Sequence, residues 1–239
     1  MIESTFSRLS GDVFALAVWD DSWQSYNNCY LLIRDDQVVL IDTGKAEHFG
    51  HLQAALAMVG KGEDDVTTLI ATHGHADHIG SAYRFSRARK YIHPNDVPML
   101  TAEAREVFTG SLPDHGDVQG LTCWLWGDHT PGSCVLYDPV SRVTFAGDPI
   151  CFFGEALPHG ELVDEAPELR DAFASFIAQG AMWHDPRVQP ERFQQGAVYL
   201  SRLDMSHFAT GHGVVLLGNL QVFFGTLVEA IVGSAQEQT

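Results

Sequence analysis

The 239-residue chain is poor in basic residues: 14 Lys and Arg stand against 31 Asp and Glu, which gives a net charge of −17. Nucleic-acid binding depends largely on basic side chains that neutralise phosphates, so this charge disfavours a nucleic-acid partner. The sequence also lacks any apolar run of the roughly 18 residues that a membrane-spanning helix requires. We therefore expect neither nucleic acid nor membrane as a partner.

Cysteine is also scarce. The four cysteines, Cys29, Cys123, Cys134 and Cys151, show no CxxC spacing, which favours free thiols in a reducing compartment over a disulfide framework. The first residues lack the basic, apolar and small-residue order of a secretion signal. We expect a cytoplasmic protein, and its 45% hydrophobic content is sufficient for a single domain over residues 1–239.

Hydrophobic periodicity predicts two β-rich halves with helices between and after them. Apolar runs separated by polar turns predict strands at 12–19, 28–33, 37–42, 68–72 and 91–93, and again at 122–126, 133–138 and 142–147. Helical spacing predicts helices at 49–59, 82–89, 168–179, 190–203 and 221–232. This order favours an α/β protein in which two sheets pack together between outer helices.

The segment 72–78 carries an unusual density of metal-binding residue types. Three histidines and one aspartate, His73, His75, Asp77 and His78, follow the apolar run 68–71 directly. Imidazole and carboxylate are ligands that Zn²⁺ and related cations prefer, and the end of a strand can present several of them to one point. A polar surface loop would explain one histidine but not this set, so the segment predicts a metal site.

Three further candidate ligands stand beside glycine at the ends of strand patterns. His129 lies in a turn that contains Gly and Pro, Asp148 follows the apolar run 143–147, and His212 sits between two glycines. Glycine allows close approach of the backbone to a site. Each residue alone is a weak indication, but their shared position predicts that they complete the site.

With these residues in place, the chain resembles the metallo-β-lactamase superfamily over nearly its whole length. The matching motifs are the HxHxDH signature at His73, His75, Asp77 and His78, the GHTPG-like turn at His129, the GD motif at Asp148, the GHG motif at His212 and the early aspartate at Asp42. The resemblance implies a four-layer αββα sandwich.

The resemblance also implies a pair of divalent metal ions, with Zn²⁺ expected and Fe or Mn as alternatives. The first ion would be held by His73, His75 and His129, and the second by Asp77, His78 and His212, with Asp148 bridging both. A water shared by two such cations loses a proton near neutral pH and becomes a hydroxide nucleophile. Asp77 and Asp148 are then also catalytic candidates for proton relay, and Asp42 would orient a ligand imidazole.

Several branches of the superfamily fit this sequence poorly. Asp148 disfavours the true β-lactamases, two classes of which lack this aspartate, and His75 disfavours flavodiiron proteins, which carry Glu there. Glyoxalase II holds glutathione with a basic C-terminal region, whereas no Lys or Arg follows His212. Glutathione is therefore disfavoured as part of the substrate. The branches that remain cleave carbonyl compounds, so we expect a hydrolase of an ester, lactone or thioester, in the glyoxalase II or lactonase-like part of the superfamily.

Two other activities stay open. Persulfide dioxygenases of this superfamily bind one iron through His73-, His129- and Asp148-type ligands alone, and phosphodiesterases share the fold. Two departures from the family pattern receive no assigned role: Asp128 stands where Gly is usual, and Cys151 stands where the acyl-homoserine lactonases have Tyr.

The segment between Asp148 and His212 is rich in aromatic residues. Phe152, Phe153 and Trp183 fall on predicted loops and are candidates for binding an apolar small-molecule substrate. Phe173 and Phe176 have helical spacing, which favours packing within the core. Trp19, Trp23 and Tyr26 near the N-terminus are candidates for an interface, but the pattern predicts no oligomeric state.

Overall fold

The computed structural model describes residues 3–185 and 188–236. Its first sheet has seven strands in sequential order, antiparallel from β1 to β4 and parallel from β4 to β7. These strands are β1 (Ser4–Ser10), β2 (Val13–Asp20), β3 (Ser25–Arg34), β4 (Gln37–Ile41), β5 (Thr68–Ile70), β6 (Arg89–Ile92) and β7 (Gly110–Ser111).

The second sheet also has seven strands, in the order β12-β14-β13-β11-β10-β9-β8. They are β8 (His115–Val118), β9 (Leu121–Leu125), β10 (Cys134–Asp138), β11 (Val143–Gly147), β12 (Val163–Asp164), β13 (His207–Thr210) and β14 (Val215–Leu217). Strand β11 pairs in parallel with β13, so the chain segments that carry Asp148 and His212 leave the sheet side by side.

The described residues form six α-helices in addition to the sheets. They are α1 (Phe49–Met58), α2 (Ala76–Ile79), α3 (Ala102–Val107), α4 (Pro167–Ala178), α5 (Pro190–Ser201) and α6 (Leu220–Gln236). Pro167 and Pro190 occupy the first turns of α4 and α5, where a missing backbone N–H costs nothing and the fixed φ suits the helix. None of the described helices is long and apolar enough to cross a membrane.

Strand β2 shows how the layers form. Val13 and Ala15 belong to the core between the two sheets, whereas Phe14 and Leu16 belong to a second core under α1. Because successive side chains of a strand point to opposite faces, a run that is apolar on both faces can support a layer on each side. Helices α5 and α6 cover the second sheet in the same way, which confirms the αββα sandwich.

The helix predicted at 82–89 is wrong. Only Ala82–Arg84 forms a short 3₁₀ turn, and β6 begins at Arg89. The buried Ser81 is fixed by hydrogen bonds to Thr43 and Lys45, and the Lys90 ammonium donates to the carbonyls of Phe85 and Ala88. These contacts satisfy carbonyls that a helix would have used, and the threefold spacing of apolar residues suits the 3₁₀ turn.

The remaining predicted elements are present with ends shifted by a few residues. The strand predicted at 91–93 is β6, which ends at Ile92, and the helix predicted at 221–232 is α6, which extends to Gln236. The pattern missed β1 and the short helices α2 and α3. It also missed the short strands β7, β8, β12 and β14, which are stabilised by pairing more than by their own sequence.

Candidate metal centre

The predicted ligands meet at one place, in the segments that follow four strands, β5, β9, β11 and β13. The segment after β5 carries His73 and His75, the turn between β9 and β10 carries His129, and Asp148 and His212 follow β11 and β13. His73 is fully buried and His129 is half-buried, so the group spans from the sheet interior to the surface. The structure brings together all seven side chains that the sequence predicted as ligands.

The first group consists of His73, His75, His129 and Asp148. The Nδ1 atom of His75 lies 3.0 Å from Nε2 of His73 and 3.0 Å from Nε2 of His129. The Oδ2 atom of Asp148 lies 3.3 Å from Nε2 of His129 and 3.7 Å from Nε2 of His73. Three imidazole nitrogens and one carboxylate oxygen thus converge on a single point.

The second group consists of Asp77, His78, Asp148 and His212. The Nε2 atom of His212 lies 3.3 Å from an oxygen of Asp77 and 3.3 Å from Oδ2 of Asp148. The Nε2 atom of His78 lies 3.1 Å from Oδ1 of Asp148. Asp148 therefore belongs to both groups, with Oδ1 facing His78 and Oδ2 facing His73, His129 and His212.

The geometry of both groups fits metal ions. Ligands of a tetrahedral zinc ion lie roughly 3.3 Å apart when each is about 2.0–2.1 Å from the metal. The ligand atoms within each group lie within 4.8 Å of one another. In addition, Nε2 of His78 and Oδ1 of Asp148 are buried without a hydrogen-bond partner, which is costly unless another group binds them. The cluster fits a dinuclear metal site.

Asp42 supports the second group and part of the first. Its Oδ2 lies 2.8 Å from Nδ1 of His78 and accepts a hydrogen bond of 2.7 Å from the Thr72 hydroxyl. That hydroxyl is 3.2 Å from Nδ1 of His73. Asp42 adopts a left-handed backbone conformation with φ of 58°, which non-glycine residues rarely adopt. The structure thus places Asp42 where it orients ligand imidazoles.

Asp96 supports the first group, and the sequence reading did not identify it. This buried carboxylate accepts hydrogen bonds from the backbone N–H of Gly74 (2.8 Å), the Thr130 hydroxyl (2.8 Å) and the backbone N–H of Gly132 (2.6 Å). It therefore joins the loop of His73 and His75 to the turn of His129. The available signal was its position just after β6, where the carboxyl ends of the parallel strands meet.

Contacts with β3 complete the second group. Nδ1 of His212 lies 2.8 Å from the carbonyl oxygen of Tyr26, and the side-chain amide of Asn27 donates a 3.1 Å hydrogen bond to Asp77. A Cβ atom at Gly211 would lie 2.0 Å from Oδ1 of Asp148, so only glycine allows the backbone to pass this close to the site. The polar pair Asn27-Asn28 inside a buried strand was the sequence signal for this support.

The two groups differ in their charge states. Burial and the neighbouring imidazoles lower the pKa of His73 and of His75. Burial also acts against the charged form of His212, but Asp148 and Asp77 outweigh it and raise the pKa of His212 to about 9. The pKa of Asp148 is held well below its usual value, because the fields of His78, His212 and His73 overcome the effect of burial. The carboxylates of the second group are therefore neutralised by imidazolium groups when no cation does so.

A cavity of about 690 Å³ opens at the two groups. Its wall includes the ligands His75, His129, Asp77, Asp148 and His212, and its apolar part is formed by Trp23, Phe153, Phe173, Phe176, Met182 and Val188. The volume lies within the roughly 300–1,000 Å³ typical of small-molecule sites. We refer to it as the metal cavity.

Comparison with known proteins agrees with this geometry. A family model described as the metallo-beta-lactamase superfamily matches residues 23–179. This chain belongs to the metallo-β-lactamase superfamily. A probable metallo-hydrolase of Bacillus subtilis, YflN, is 26% identical over 214 residues, which cover 75% of this chain and 76% of that protein.

Solved structures with the superfamily fold show the same architecture. A flavoprotein from Thermotoga maritima superposes on 97% of this chain with a TM-score of 0.75 at 17% identity, and this chain spans 62% of its length. The DIM-1 metallo-β-lactamase superposes on 97% of this chain with a TM-score of 0.70 at 13% identity, and 97% of that chain is covered. At these identities the likeness shows the fold alone.

The candidate substrate-binding residues occupy different positions around the superfamily site. Phe153 is half-exposed and lines the metal cavity, with its ring centre 4.9 Å from that of His212. Phe152 is buried and packs against Phe173, and Trp183 packs against Phe193; neither lines the cavity. Phe173 and Phe176, which helical spacing had assigned to packing, do line it, because α4 runs past the cavity mouth.

Trp23 lines the metal cavity as well, although the sequence had suggested an interface role. The Lys45 ammonium lies 3.4 Å from the centre of its ring and forms an ion pair with the buried Asp20. Asp20 also accepts a 3.0 Å hydrogen bond from the backbone N–H of Trp23. Burial opposes ionisation of Asp20, but these partners lower its pKa to about 2. The Asp20–Lys45 pair thus holds Trp23 against the cavity.

The two departures from the family pattern also lie at the cavity wall. Asp128 is buried, and its Oδ1 accepts a 2.6 Å hydrogen bond from the backbone N–H of Gln189. This bond fixes the start of α5 against the turn that carries His129. Cys151 is half-buried and lines the cavity beside Phe153.

Proposed function

We propose that this chain is a dinuclear-metal hydrolase that cleaves an ester, thioester or lactone by attack of water on the carbonyl carbon. The observation that carries the proposal is the convergence of seven ligand side chains into two groups that share Asp148. A single metal would require only one such group. Two groups that share one carboxylate fit the paired metal ions of two-metal hydrolases.

The residues divide between two cations, for which Zn²⁺ is the expected identity. His73, His75 and His129 would hold the first and Asp77, His78 and His212 the second, with Asp148 shared. When bound, two such cations lower the pKa of a shared water and polarise a carbonyl oxygen. Asp42 would keep the imidazoles of His78 and His73 in the tautomer that leaves Nε2 free as a ligand.

Proton transfer would involve carboxylates of this chain. Asp77 and Asp148 both border the metal cavity, so each is within reach of an attacking water and of a leaving group. Asp77 accepts a hydrogen bond from Asn27 and faces His212, which keeps it in the carboxylate form. We assign the proton relay to these two residues, in addition to their role as ligands.

The cavity wall supports an apolar carbonyl substrate. Trp23, Phe153, Phe176 and Val188 present aromatic and aliphatic surface next to the ligands. Such surface favours hydrocarbon groups through burial, whereas the metals supply the polar recognition of the carbonyl. A substrate of this kind fits an acyl ester or thioester or an alkyl lactone.

Metal analysis combined with a substrate panel tests the proposal. The panel contains p-nitrophenyl alkanoates, acyl thioesters, alkyl lactones and bis(p-nitrophenyl) phosphate, each assayed on zinc-loaded protein. We expect about two equivalents of zinc and turnover of a carboxylic ester, thioester or lactone. Turnover of the phosphodiester alone would make the protein a phosphodiesterase.

The iron alternative is tested separately, because a flavo di-iron protein from Thermotoga maritima shares the fold and one-iron persulfide dioxygenases use a subset of these ligands. Oxygen uptake is measured with glutathione persulfide on iron-loaded protein. One equivalent of iron together with persulfide-dependent oxygen uptake would contradict the hydrolase proposal.

A further inference from the structure

A second cavity lies beside the metal centre and has no part in the function described above. It has a volume of about 470 Å³, again within the roughly 300–1,000 Å³ of small-molecule sites. Its wall is formed by α2 and the 3₁₀ turn at 82–84 on one side and by residues 99–108, which include α3, on the other. We refer to it as the tail cavity.

The wall of the tail cavity is mainly apolar. Ile79, Leu100, Val107 and Phe108 supply aliphatic and aromatic surface, and Ala104 projects from α3 between them. Leu100 and Phe108 are also part of the core under α1, so this side of the cavity is preformed. A preformed apolar cavity binds hydrocarbon in preference to water.

The mouth of the tail cavity exposes two large apolar side chains. Tyr83 is 54% exposed and Met99 is 44% exposed, and both line the cavity. A methionine at such a position can adjust its shape to different hydrocarbon groups. The exposed apolar rim therefore suits an occupant that enters from solvent.

His75 lies between the two cavities. It is the only residue in the described part of the chain that borders both the metal cavity and the tail cavity. Its Nδ1 atom faces His73 and His129 in the first ligand group. A group bound in the tail cavity therefore lies one imidazole away from the place where a substrate carbonyl would be polarised.

An open-chain ester or thioester has two arms on its reacting carbonyl group, one on the acyl side and one on the leaving-group side. We infer that one arm of the substrate occupies the metal cavity and that the other, an unbranched apolar tail, passes His75 and occupies the tail cavity. This inference rests on the proposed hydrolase function. A lactone joins its two arms in one ring, so the inference favours open-chain esters and thioesters over small lactones.

A chain-length series tests the inference with two matched variants on one helix. Ala104→Trp fills the tail cavity, whereas Ala102→Trp places the same side chain on α3 at an exposed position outside it. For p-nitrophenyl esters from acetate to octanoate, we expect kcat/KM of the original protein to rise about fourfold for each added methylene. Ala104→Trp should abolish this rise, so that kcat/KM no longer depends on acyl length, while Ala102→Trp should retain the rise. An undiminished rise in Ala104→Trp would overturn the inference.

A binding experiment separates the inference from the hydrolase proposal. Met182 lines the metal cavity and Met99 lines the tail cavity, so ¹³C-methyl methionine NMR reports on each independently. Dibutyl ketone, a non-hydrolysable probe with two apolar arms, is titrated into the zinc-loaded protein. We expect both methyl signals to shift with one dissociation constant, and the Met99 response to disappear in Ala104→Trp.

A shift of Met182 alone, or of Met99 alone, would overturn the two-cavity inference, because each would place the probe in one cavity only. Failure of the hydrolase proposal would be recognised differently, by an absence of turnover for every ester, thioester and lactone of the panel. The two failures therefore give different results.

Discussion

The two ligand groups share Asp148 but are built differently. The first contains three imidazoles, and both His75 and His129 are partly exposed at the metal cavity. The second contains the buried side chains of Asp77, His78 and His212 in addition to Asp148. Asp96 supports the first group through the loop backbone, whereas Asp42 contacts a ligand imidazole of the second directly.

This difference indicates that the two groups have different roles. The open, imidazole-rich group is suited to contact the substrate, because His75 and His129 border the metal cavity and His75 also borders the tail cavity. The buried group, which carries more carboxylate charge, is suited to retain its cation and to fix Asp148. Each prediction below tests one side of this contrast, and they are ordered by the size of the expected effect.

The largest effect is expected from Asp148→Asn, because Asp148 serves both groups. Loss of its charge leaves each cation with one anionic contact fewer, and ester turnover should fall by more than about a thousandfold. Zinc content after dialysis should drop from about two equivalents to one or less. The thermal transition of the metal-free protein serves as the control for folding. Retention of two zinc ions and of turnover would remove Asp148 from its shared role.

Asp42→Asn and Asp96→Asn form a matched pair that tests the two supports. Each change removes one buried carboxylate that contacts no substrate, and each should reduce turnover by roughly 10- to 100-fold. The site that loses zinc on dialysis should differ between the two variants, because Asp42→Asn weakens the second group and Asp96→Asn weakens the first. Cobalt substitution followed by absorption spectroscopy distinguishes the two sites. Identical spectra for the two variants would contradict the assignment of Asp42 to the second group and of Asp96 to the first.

The pH dependence of metal binding should also separate the groups. In the metal-free protein His212 has a pKa of about 9 and the pKa of His78 is raised well above its usual value, despite burial, by Asp148 and Asp42. Both are therefore protonated at pH 7, and a cation must displace these protons. Affinity at the second group should fall about tenfold per pH unit for each displaced proton between pH 9 and 7.

The first group should behave differently over the same range. The pKa values of His73 and His75 are lowered, first of all by burial, so these rings are neutral at pH 7 and the affinity should change little. Competition with a chromophoric chelator at several pH values measures both dissociation constants. Equal slopes for the two sites would contradict the assigned charge states.

The smallest effect is expected from Lys45→Met, which removes the cation that holds Trp23. Cation–π contacts contribute about 0.5–2 kcal/mol, so KM for apolar esters should rise several-fold while kcat stays nearly constant. Lys61→Met is the matched control, because Lys61 borders neither cavity. A fall in kcat without a change in KM would place Lys45 in another role.

The ligands could be predicted from sequence because each lies next to a strand end or a glycine that can be read locally. His73 to His78 follow a clear apolar strand, and His212 stands between glycines. The αββα arrangement followed from the same apolar runs. Apolar runs and neighbouring glycines are properties of short segments, so they can be recognised without knowing the fold.

The cavity walls could not be predicted in this way. Trp23 belongs to the β2–β3 turn, and its place at the cavity depends on Lys45 and Asp20, which come together only in the fold. Phe152 and Phe153 are adjacent in sequence, yet the backbone after Asp148 turns one inward and the other toward His212. Asp96 was missed for a similar reason, since the loops it joins are distant in sequence.

The central claim is that catalysis requires both ligand groups to be filled. Its most direct test is a titration of metal-free protein with zinc, in which hydrolysis of a p-nitrophenyl ester is measured at each addition. The account predicts little turnover up to about one equivalent and a rise that ends at about two equivalents. Full turnover at one equivalent would contradict it.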